Sequence, residues 1–219
     1  MNESSDAVAV PIAAAMRRPT LLGVPAMPIL TASLIVRRAQ VEEAGALAAL
    51  LGRAFEAESW DAAGTERELF CDETVRATLV VAAAGRLVAT ASLQVRPDVP
   101  ECGWVRWVAT DLDRRREGLA RALVIGVLEI AEQAGCREAR LHTETDMLAA
   151  IALYLQLGFE PLVWSDPERE AWEQVIRFLR ANDPYVPSLR FQIIHLRSQK
   201  PRIGADPRRE RRVWALFHG

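Results

Sequence analysis

The sequence predicts an α/β protein with one antiparallel meander and one strand-helix-strand crossover. Three β-rich runs follow one another between residues 77 and 110, and Gly85-Arg86 separates the first two in the manner of a hairpin. A long amphipathic helix then joins two strand candidates, which is the pattern of a crossover. Half of the 219 residues are hydrophobic and 26% are charged, a balance that is typical of a chain with a packed core.

The first half of the chain contributes a strand, two helices and the meander. Residues 33–37 form a short apolar strand candidate, and residues 40–55 place apolar side chains at helical spacing. Residues 62–71 are predicted as a second helix. The strands of the meander are predicted over residues 77–84, 87–96 and 103–110.

The second half alternates helices and strands. An amphipathic helix is predicted over residues 118–134 because its apolar residues recur on one face, and Gly135 is a typical C-terminal cap. A strand over residues 138–145 and a helix over residues 146–157 follow. The last regular signals are a helix over residues 168–181 and a strand over residues 189–196.

Composition divides the chain into three segments. Residues 1–31 are rich in Ala and Pro and aperiodic, so we predict an irregular N-terminal extension. Residues 32–197 carry the regular signals of a single domain, in which the helix over residues 168–181 is an addition near the end. Residues 198–219 form a basic tail, and a solvated tail is the simplest interpretation.

Composition also excludes several classes of protein. The net charge of −2 argues against a nucleic-acid binder. The three cysteines contain no C-x-x-C pair, which argues against a disulfide scaffold and a thiolate cluster, and no metal is expected. Residues 19–36 are uncharged, but their prolines rule out one regular membrane helix. The N-terminus is acidic where a secretory signal would be basic, so a soluble cytoplasmic protein is expected.

Residues 108–123 carry the most informative pattern. A predicted strand ends, a short polar turn follows, and Gly118 and Ala120 begin a helix. The start of a helix has unsatisfied backbone N–H groups and a partial positive charge, so it attracts phosphate. Small residues let an anion approach the backbone, and several arginines at the same end add positive charge. The segment therefore predicts a pyrophosphate-binding turn, although a tight turn with solvated arginines fits the same residues.

A second strand-helix unit follows this turn. The pattern Arg115-x-x-Gly118-x-Ala120 is followed by Ala150-Ile151-x-Leu153-Tyr154-x-x-x-Gly158-Phe159. Together, in this order and setting, the two motifs resemble the GNAT (general-control-related N-acetyltransferase) superfamily, and the resemblance covers about residues 33–196. It implies a mixed, mostly antiparallel central sheet flanked by helices, with two splayed strands forming the coenzyme slot.

The resemblance implies that acetyl-coenzyme A (acetyl-CoA) is the co-substrate. The main-chain amides of the turn would hold its pyrophosphate, and the preceding strand would pair with its pantetheine arm. A main-chain N–H where the strands splay would polarise the thioester carbonyl. The coenzyme-binding residues expected on this basis are Val108, Ala109, Thr110, Arg115, Arg116, Glu117, Gly118, Leu119, Ala120 and Arg121.

Tyr154 matches the family tyrosine that protonates the departing thiolate. A phenol with a pKa of about 10 stays protonated at neutral pH and can donate to sulfur. Helical spacing alone favours a core position for Tyr154, and its hydroxyl could instead orient the sulfur.

Three positions depart from the family pattern. Met147 stands where the family often has Asn, Leu112 where a proline is common, and Trp104 where many members place the Glu that relays a proton from the acceptor amine. The general base is therefore not identified. Three carboxylates and an imidazole are candidates for that role, each with an ordinary structural role as the alternative: Glu101, Glu144, Glu58 and His142.

The acceptor is expected to meet the first two helices and their connection. Residues 42–73 contain nine acidic and two basic residues, which would attract a cationic amine or simply form solvated helix faces. Trp60, Trp104 and Trp164 are candidates to line an acceptor pocket, with core packing as the alternative. The helix over residues 168–181 would shape specificity or form a homodimer contact.

We therefore predict an acyl-CoA-dependent N-acetyltransferase that moves acetyl to a primary amine by direct attack in a ternary complex. A small-molecule amine is the first candidate acceptor, and a protein N-terminus or lysine is the second. The rival from another class is a non-catalytic acetyl-CoA binding module that acts as a sensor or docking domain. The departures at Trp104 and Met147 favour that rival, and the retention of Tyr154 opposes it.

Overall fold

The computed structural model describes residues 13–28, 30–31, 34–55, 59–182, 186 and 194–195. These residues form two compact units, one within residues 18–141 and one that combines residues 13–17 with residues 142–195. Both units are built from strands and helices, and most strand pairs are antiparallel. The predicted fold class, a mixed and mostly antiparallel α/β sheet flanked by helices, is confirmed.

The unit within residues 18–141 contains a continuous ladder of strands. Its neighbours are antiparallel except for the last pair, which is parallel. In spatial order the strands are β2 (Leu34–Arg38), β3 (Val75–Ala83), β4 (Arg86–Val95), β5 (Cys102–Thr110) and β6 (Glu138–Glu144), of which residues 138–141 belong to this unit.

The hairpin between β3 and β4 turns on two residues with positive φ. Ala84 has φ +47° and Gly85 has φ +77°, and Ala83 lies opposite Arg86. Positive φ at both central positions is the geometry that matches the right-handed twist of the strands. The predicted hairpin is confirmed, with Ala84-Gly85 rather than Gly85-Arg86 at its tip.

Helices cover both faces of this ladder. The first face is covered by α1 (Ala44–Ala54), which follows a 3-10 turn at Val41–Glu43, and by α2 (Ala62–Glu66), which continues as a π turn over Arg67–Cys71. Their buried leucines form one core cluster with Val80 of β3. The second face is covered by α3 (Leu119–Gln133).

Helix α3 approaches β3 closely at a glycine. A Cβ placed on Gly126 would lie 2.9 Å from Leu79 Cδ1, which is closer than real Cβ contacts allow. Leu79 and Val80 are consecutive in β3 and therefore point to opposite faces. The two helical layers are thus held against alternate residues of the same strand.

The other unit contains three strands and two helices. They are β1 (Ala13–Arg18), α4 (Leu148–Gln156), β7 (Glu160–Val163), α5 (Asp166–Asn182) and β8 (Ile194–His195). Strand β1 pairs antiparallel with β7, with Ala15 opposite Leu162, and β7 pairs parallel with β8. Trp172 and Phe159 are almost completely buried in its core.

Strand β1 corrects the prediction that residues 1–31 are irregular throughout. Residues 13–18 read A-A-A-M-R-R, in which no alternation of apolar and polar residues marks a strand. Pairing with β7, more than a hundred residues later, makes them one. Strand β7 was likewise absent from the sequence prediction. Residues 198–219 and most of the predicted strand over residues 189–196 lie outside the described residues.

The described part of the chain contains no helix that is long and apolar enough to cross a membrane. It also contains no group of three or more His, Cys, Asp or Glu side chains placed to bind a metal ion.

Candidate active site

The turn between β5 and α3 is open at its centre. Gly118 precedes the helix with φ +79° and, as a glycine, has no side chain to cap the first N–H groups of α3. A Cβ built on Gly118 would have no atom of the described residues within 4 Å. The geometry leaves unsatisfied main-chain donors beside open space, which is the arrangement that binds a phosphate group.

The arginines of this turn differ in whether a carboxylate already pairs with them. Arg115 and Arg116 are exposed, whereas Arg114 donates to Glu117 over 2.6 and 2.7 Å. The hydrogen bond from Arg114 lowers the pKa of Glu117, so this carboxylate stays ionised and its charge is matched by that arginine. Arg115 and Arg116 are therefore the exposed cations of the turn, and Arg114 is already engaged.

Arg116 adopts a backbone conformation that favours glycine, with φ +71°. A non-glycine residue at positive φ destabilises the folded state by about 1–2 kcal/mol. Replacement by glycine removes this strain, but part of the gain is lost because glycine has a larger conformational entropy in the unfolded state. We expect Arg116→Gly to raise the free energy of unfolding by about 0.5 kcal/mol. Thermal or urea unfolding measures the change. Arg115→Gly is the matched control, because Arg115 has an ordinary φ of −67° and its replacement should destabilise instead.

An ion-pair network fixes the chain where β5 enters the turn. Asp111 is 6% exposed and accepts from Arg53 Nε at 3.2 Å and Arg53 Nη2 at 3.1 Å. Arg86 lies 3.3 Å from the same carboxylate and also 3.3 Å from Asp113. Burial alone would raise the pKa of Asp111, but the hydrogen bonds and charge of Arg53, with the charge of Arg86, hold it below its usual range.

This network predicts an acid-sensitive contribution to stability. Asp111→Asn is expected to lower the free energy of unfolding by about 1–2 kcal/mol near pH 7. This figure is smaller than for a fully buried ion pair, because Arg53 and Arg86 are half exposed and solvent screens their charges. Since the folded pKa lies below the unfolded value of about 3.9, the contribution is present above that value and is lost as pH falls through the folded pKa. Urea unfolding of both proteins from pH 7 to pH 3 should show their difference shrinking; a constant difference would contradict the assignment.

Strand β5 continues past the end of its pairing with β6. The parallel ladder joins Cys102–Trp104 to Glu138–Arg140 and ends there, while β5 runs on to Thr110. Three predicted coenzyme contacts lie on this extension: Val108 and Thr110 are half buried and Ala109 is buried. The buried hydroxyl oxygen of Thr110 has no hydrogen-bond partner among the described residues.

A bulge distorts β5 just before these residues. Between the pairs Ser92–Arg106 and Thr90–Ala109, β5 has one more residue than β4. Trp107 has φ +53°, an outlier for so bulky a residue, and bulges re-aim side chains near functional sites. Its ring packs edge-on against Trp60 at 4.6 Å and Phe55 at 5.9 Å.

A carboxylate joins this aromatic group. Glu68, in the π turn after α2, lies 3.6 Å from Arg106, whose guanidinium is 4.8 Å from the Trp107 ring centre. Sequence reasoning proposed Trp60 as an acceptor contact and counted Glu68 among the nine acidic residues of the acceptor region, but it did not single out Glu68 and missed Arg106 and Trp107. Helical periodicity places Glu68 in the helix predicted over residues 62–71 without showing which strand it faces, and no sequence signal marks the bulge.

Tyr154 belongs to the other unit and is 5% exposed. Its ring packs against Phe159 with the ring centres 5.8 Å apart. Burial raises the pKa of Tyr154 above its ordinary value, so the phenol is protonated at neutral pH. The core position that helical spacing favoured is therefore observed, and its catalytic role stays a prediction.

The remaining candidates for the base differ in their surroundings. Glu101 is exposed, and its carbonyl accepts the N–H groups of Arg137 and Glu138. Glu144 is half buried, and its carbonyl accepts the Met147 N–H. His142 is exposed, and Glu58 lies outside the described residues.

The two other tryptophans of the predicted pocket lie in different units. Trp104 is 9% exposed, with the Arg140 guanidinium 5.9 Å from its ring centre. Trp164 helps line a small cavity with Trp172, and the main-chain N–H of Trp164 donates to the Glu168 carboxylate.

Comparison with known proteins identifies the class. The family model described as "Acetyltransferase (GNAT) family" matches residues 46–159, which is more than half of the chain and includes the turn at Gly118 and Tyr154. The chain belongs to the GNAT acetyltransferase family.

Relatives match over shorter stretches. Human N-acetyltransferase 8 is 46% identical over 50 residues, 23% of this chain and 22% of that protein. Mycothiol acetyltransferase of Kocuria rhizophila is 40% identical over 63 residues, 29% of this chain and 21% of that protein. The chain therefore spans less than a quarter of the length of these curated relatives.

Solved structures share the fold. A GNAT acetyltransferase structure from Novosphingobium aromaticivorans has 25% identity and a TM-score of 0.53, covering 69% of this chain and 59% of that chain. The ribosomal-protein-S18-alanine N-acetyltransferase of Escherichia coli has 26% identity and a TM-score of 0.50, covering 57% of this chain and 76% of that chain.

Proposed function

We propose that this protein is an acetyl-CoA-dependent N-acetyltransferase whose acceptor is a primary amine of a small molecule. Membership of the GNAT family supports the acyl-transfer class. The observation that carries the proposal is the turn before α3, where Gly118 has positive φ and no capping side chain, and where none of the described residues fills the space beside it.

The chain's own residues fit the coenzyme at two places. The main-chain amides of residues 115–121 would bind the pyrophosphate, aided by the exposed charges of Arg115 and Arg116. The β5 extension at residues 108–110 would pair with the pantetheine arm, because the β6 ladder has ended before it. Bound there, the coenzyme supplies an acetyl group activated as a thioester, and we assign no role to a metal.

Acyl transfer then requires a nucleophilic amine and a proton for the leaving sulfur. In direct attack the amine nitrogen forms the new C–N bond, and the C–S bond breaks with its electron pair on sulfur. The nitrogen also loses one N–H proton, and the thiolate takes up one proton to leave as the thiol. Tyr154 Oη holds a proton at neutral pH because burial raises its pKa. A phenol less acidic than a thiol stabilises a thiolate best as a hydrogen-bond donor, so orientation and charge stabilisation of the sulfur form its principal role.

Thermal unfolding with acetyl-CoA, plain CoA and NAD tests the coenzyme site. A ligand at 100 times its dissociation constant stabilises the folded state by about 2.7 kcal/mol. We expect both CoA compounds, but not NAD, to raise the melting temperature. Turnover in a panel of amines then separates an enzyme from a sensor module. A coenzyme shift without turnover on small amines, protein N-termini or lysines would favour the sensor, for which Trp104 and Met147 are the supporting departures.

A further inference from the structure

Glu68 is a carboxylate held partly inside the protein rather than in solvent. Its side chain is 31% exposed, and its Oε1 atom is buried without a hydrogen-bond partner among the described residues. Burial raises the pKa of Glu68, against the opposing influence of Arg106 and of the Trp107 indole N–H. Asp72 also faces it and raises the pKa further.

Glu68 lies beside the part of β5 that leads to the proposed coenzyme site. It lies against Arg106 and Trp107, just past Trp104, where the parallel ladder to β6 ends. Residues 108–110, the proposed site of the pantetheine arm, follow immediately. Glu68 therefore faces the section of strand that leads into the proposed coenzyme site.

The aromatic residues around Glu68 make this place suited to a cation. The Trp60 and Trp107 rings meet edge-on at 4.6 Å, and the Trp60 indole N–H is buried without a hydrogen-bond partner in the described chain. Indole faces attract ammonium groups and exclude water, which strengthens an ion pair with a carboxylate. The buried oxygen of Glu68 can accept from the N–H groups of an ammonium. An ammonium has no lone pair for the Trp60 indole N–H, so that donor would have to meet an acceptor elsewhere on the substrate.

Arg106 lies close to Glu68 but does not use up the hydrogen-bonding capacity of its carboxylate. Its guanidinium is 3.6 Å from Glu68 Oε1, beyond hydrogen-bond distance, while it donates to Gln94 at 3.2 Å. Gln94 in turn donates to Asp72 at 3.4 Å. The arginine is held by β4 and leaves Glu68 able to accept a hydrogen bond from another donor.

We propose that Glu68 is the catalytic residue that binds the ammonium group of the acceptor and takes its proton, with Trp60 and Trp107 forming the wall around it. This inference rests on the proposed function. In the step, one N–H bond of the ammonium breaks, its electron pair stays on nitrogen, and an O–H bond forms on Glu68. The freed amine attacks, and Glu68 later returns the proton to solvent.

The test compares Glu68→Gln with the wild type and with Glu132→Gln, an exposed glutamate of α3 that lies outside the acidic acceptor region. With an alkylamine of pKa about 10.4 at pH 7, kcat/KM should fall by about 100-fold in Glu68→Gln and stay unchanged in Glu132→Gln. With an amine whose pKa lies below the assay pH, no base is needed and the Glu68→Gln deficit should nearly vanish. Equal deficits for the two amines would mean a structural role and overturn the proposal.

A binding measurement separates this proposal from the proposed function. Tryptophan fluorescence titration with butylammonium, without coenzyme, should give a Kd at least about 10-fold weaker for Glu68→Gln than for the wild type. If that loss is seen but the wild type never turns over, the proposed function fails while the ammonium site stands. If Glu68→Gln binds and reacts like the wild type, the ammonium site is wrong. Should Glu68→Gln not fold, Glu68→Asp keeps the charge, retracts the carboxylate and should lose about 10-fold in kcat/KM.

Discussion

Replacing Tyr154 by Phe is expected to lower kcat by about 100-fold or more while the coenzyme-induced rise in melting temperature is retained. The phenyl ring keeps the packing against Phe159, so the fold loses little beyond the hydroxyl. The lost hydroxyl is the group we propose for stabilising the leaving sulfur, and one positioned hydrogen-bond donor to a developing negative charge contributes about 10²–10³-fold. Steady-state kinetics on an active amine from the panel measures the change.

The control for this variant is Tyr185→Phe, which removes the only other phenol of the chain. Tyr185→Phe should retain wild-type kcat. A Tyr154→Phe enzyme with intact kcat would show that the tyrosine serves packing alone. A parallel loss of coenzyme binding would place the effect on the coenzyme site instead of the leaving group.

Replacing Gly118 by Ala is expected to abolish the coenzyme-induced rise in melting temperature. The residue has φ +79°, so an alanine there strains the backbone by about 1–2 kcal/mol. Its Cβ would enter the open space before α3 where the phosphate is proposed to lie. Displacement of the main-chain donors and obstruction by the methyl group together should weaken coenzyme binding by at least about 100-fold, measured by calorimetric titration.

Gly85→Ala provides a matched control for Gly118→Ala. Gly85 has φ +77°, and a Cβ there would also have no atom of the described part of the chain within 4 Å, but Gly85 lies in the hairpin between β3 and β4. Both substitutions should lower the melting temperature by a similar amount, because the backbone strain is similar. Unchanged coenzyme affinity in Gly85→Ala alone is the expected result. Equal affinity in both variants would contradict the phosphate site.

Much of the local structure could be predicted because its causes are local. The two glycines that bracket α3, Gly118 and Gly135, both have positive φ, as turn and cap positions require. The β3–β4 hairpin follows from two β-rich runs on either side of a glycine. The motif containing Gly118 and the later motif containing Tyr154 predicted the family, and the family match over residues 46–159 confirms it.

The composition of the acceptor region could be predicted, but its geometry could not. Residues 42–73 are visibly acidic in sequence, yet nothing in them distinguishes Glu68 from its neighbours. Burial against Arg106 and Trp107 makes Glu68 different, and that burial depends on the π turn and on a bulge in a strand some forty residues later. The pairing of Arg53 with Asp111, which are 58 residues apart in the chain, likewise left no local signal in the sequence.

The sequence by itself determined the order of the main helices and strands, the glycine turns and the family, since these depend on periodicity, on glycine and on short motifs. The tertiary structure alone decided that Ala13–Arg18 and Glu160–Val163 are strands, because they pair with each other and the second of them also pairs with Ile194–His195. The tertiary structure also decided that Glu68, and not its exposed acidic neighbours, is partly buried. Burial and pairing depend on groups far apart in the chain, and no local pattern records them.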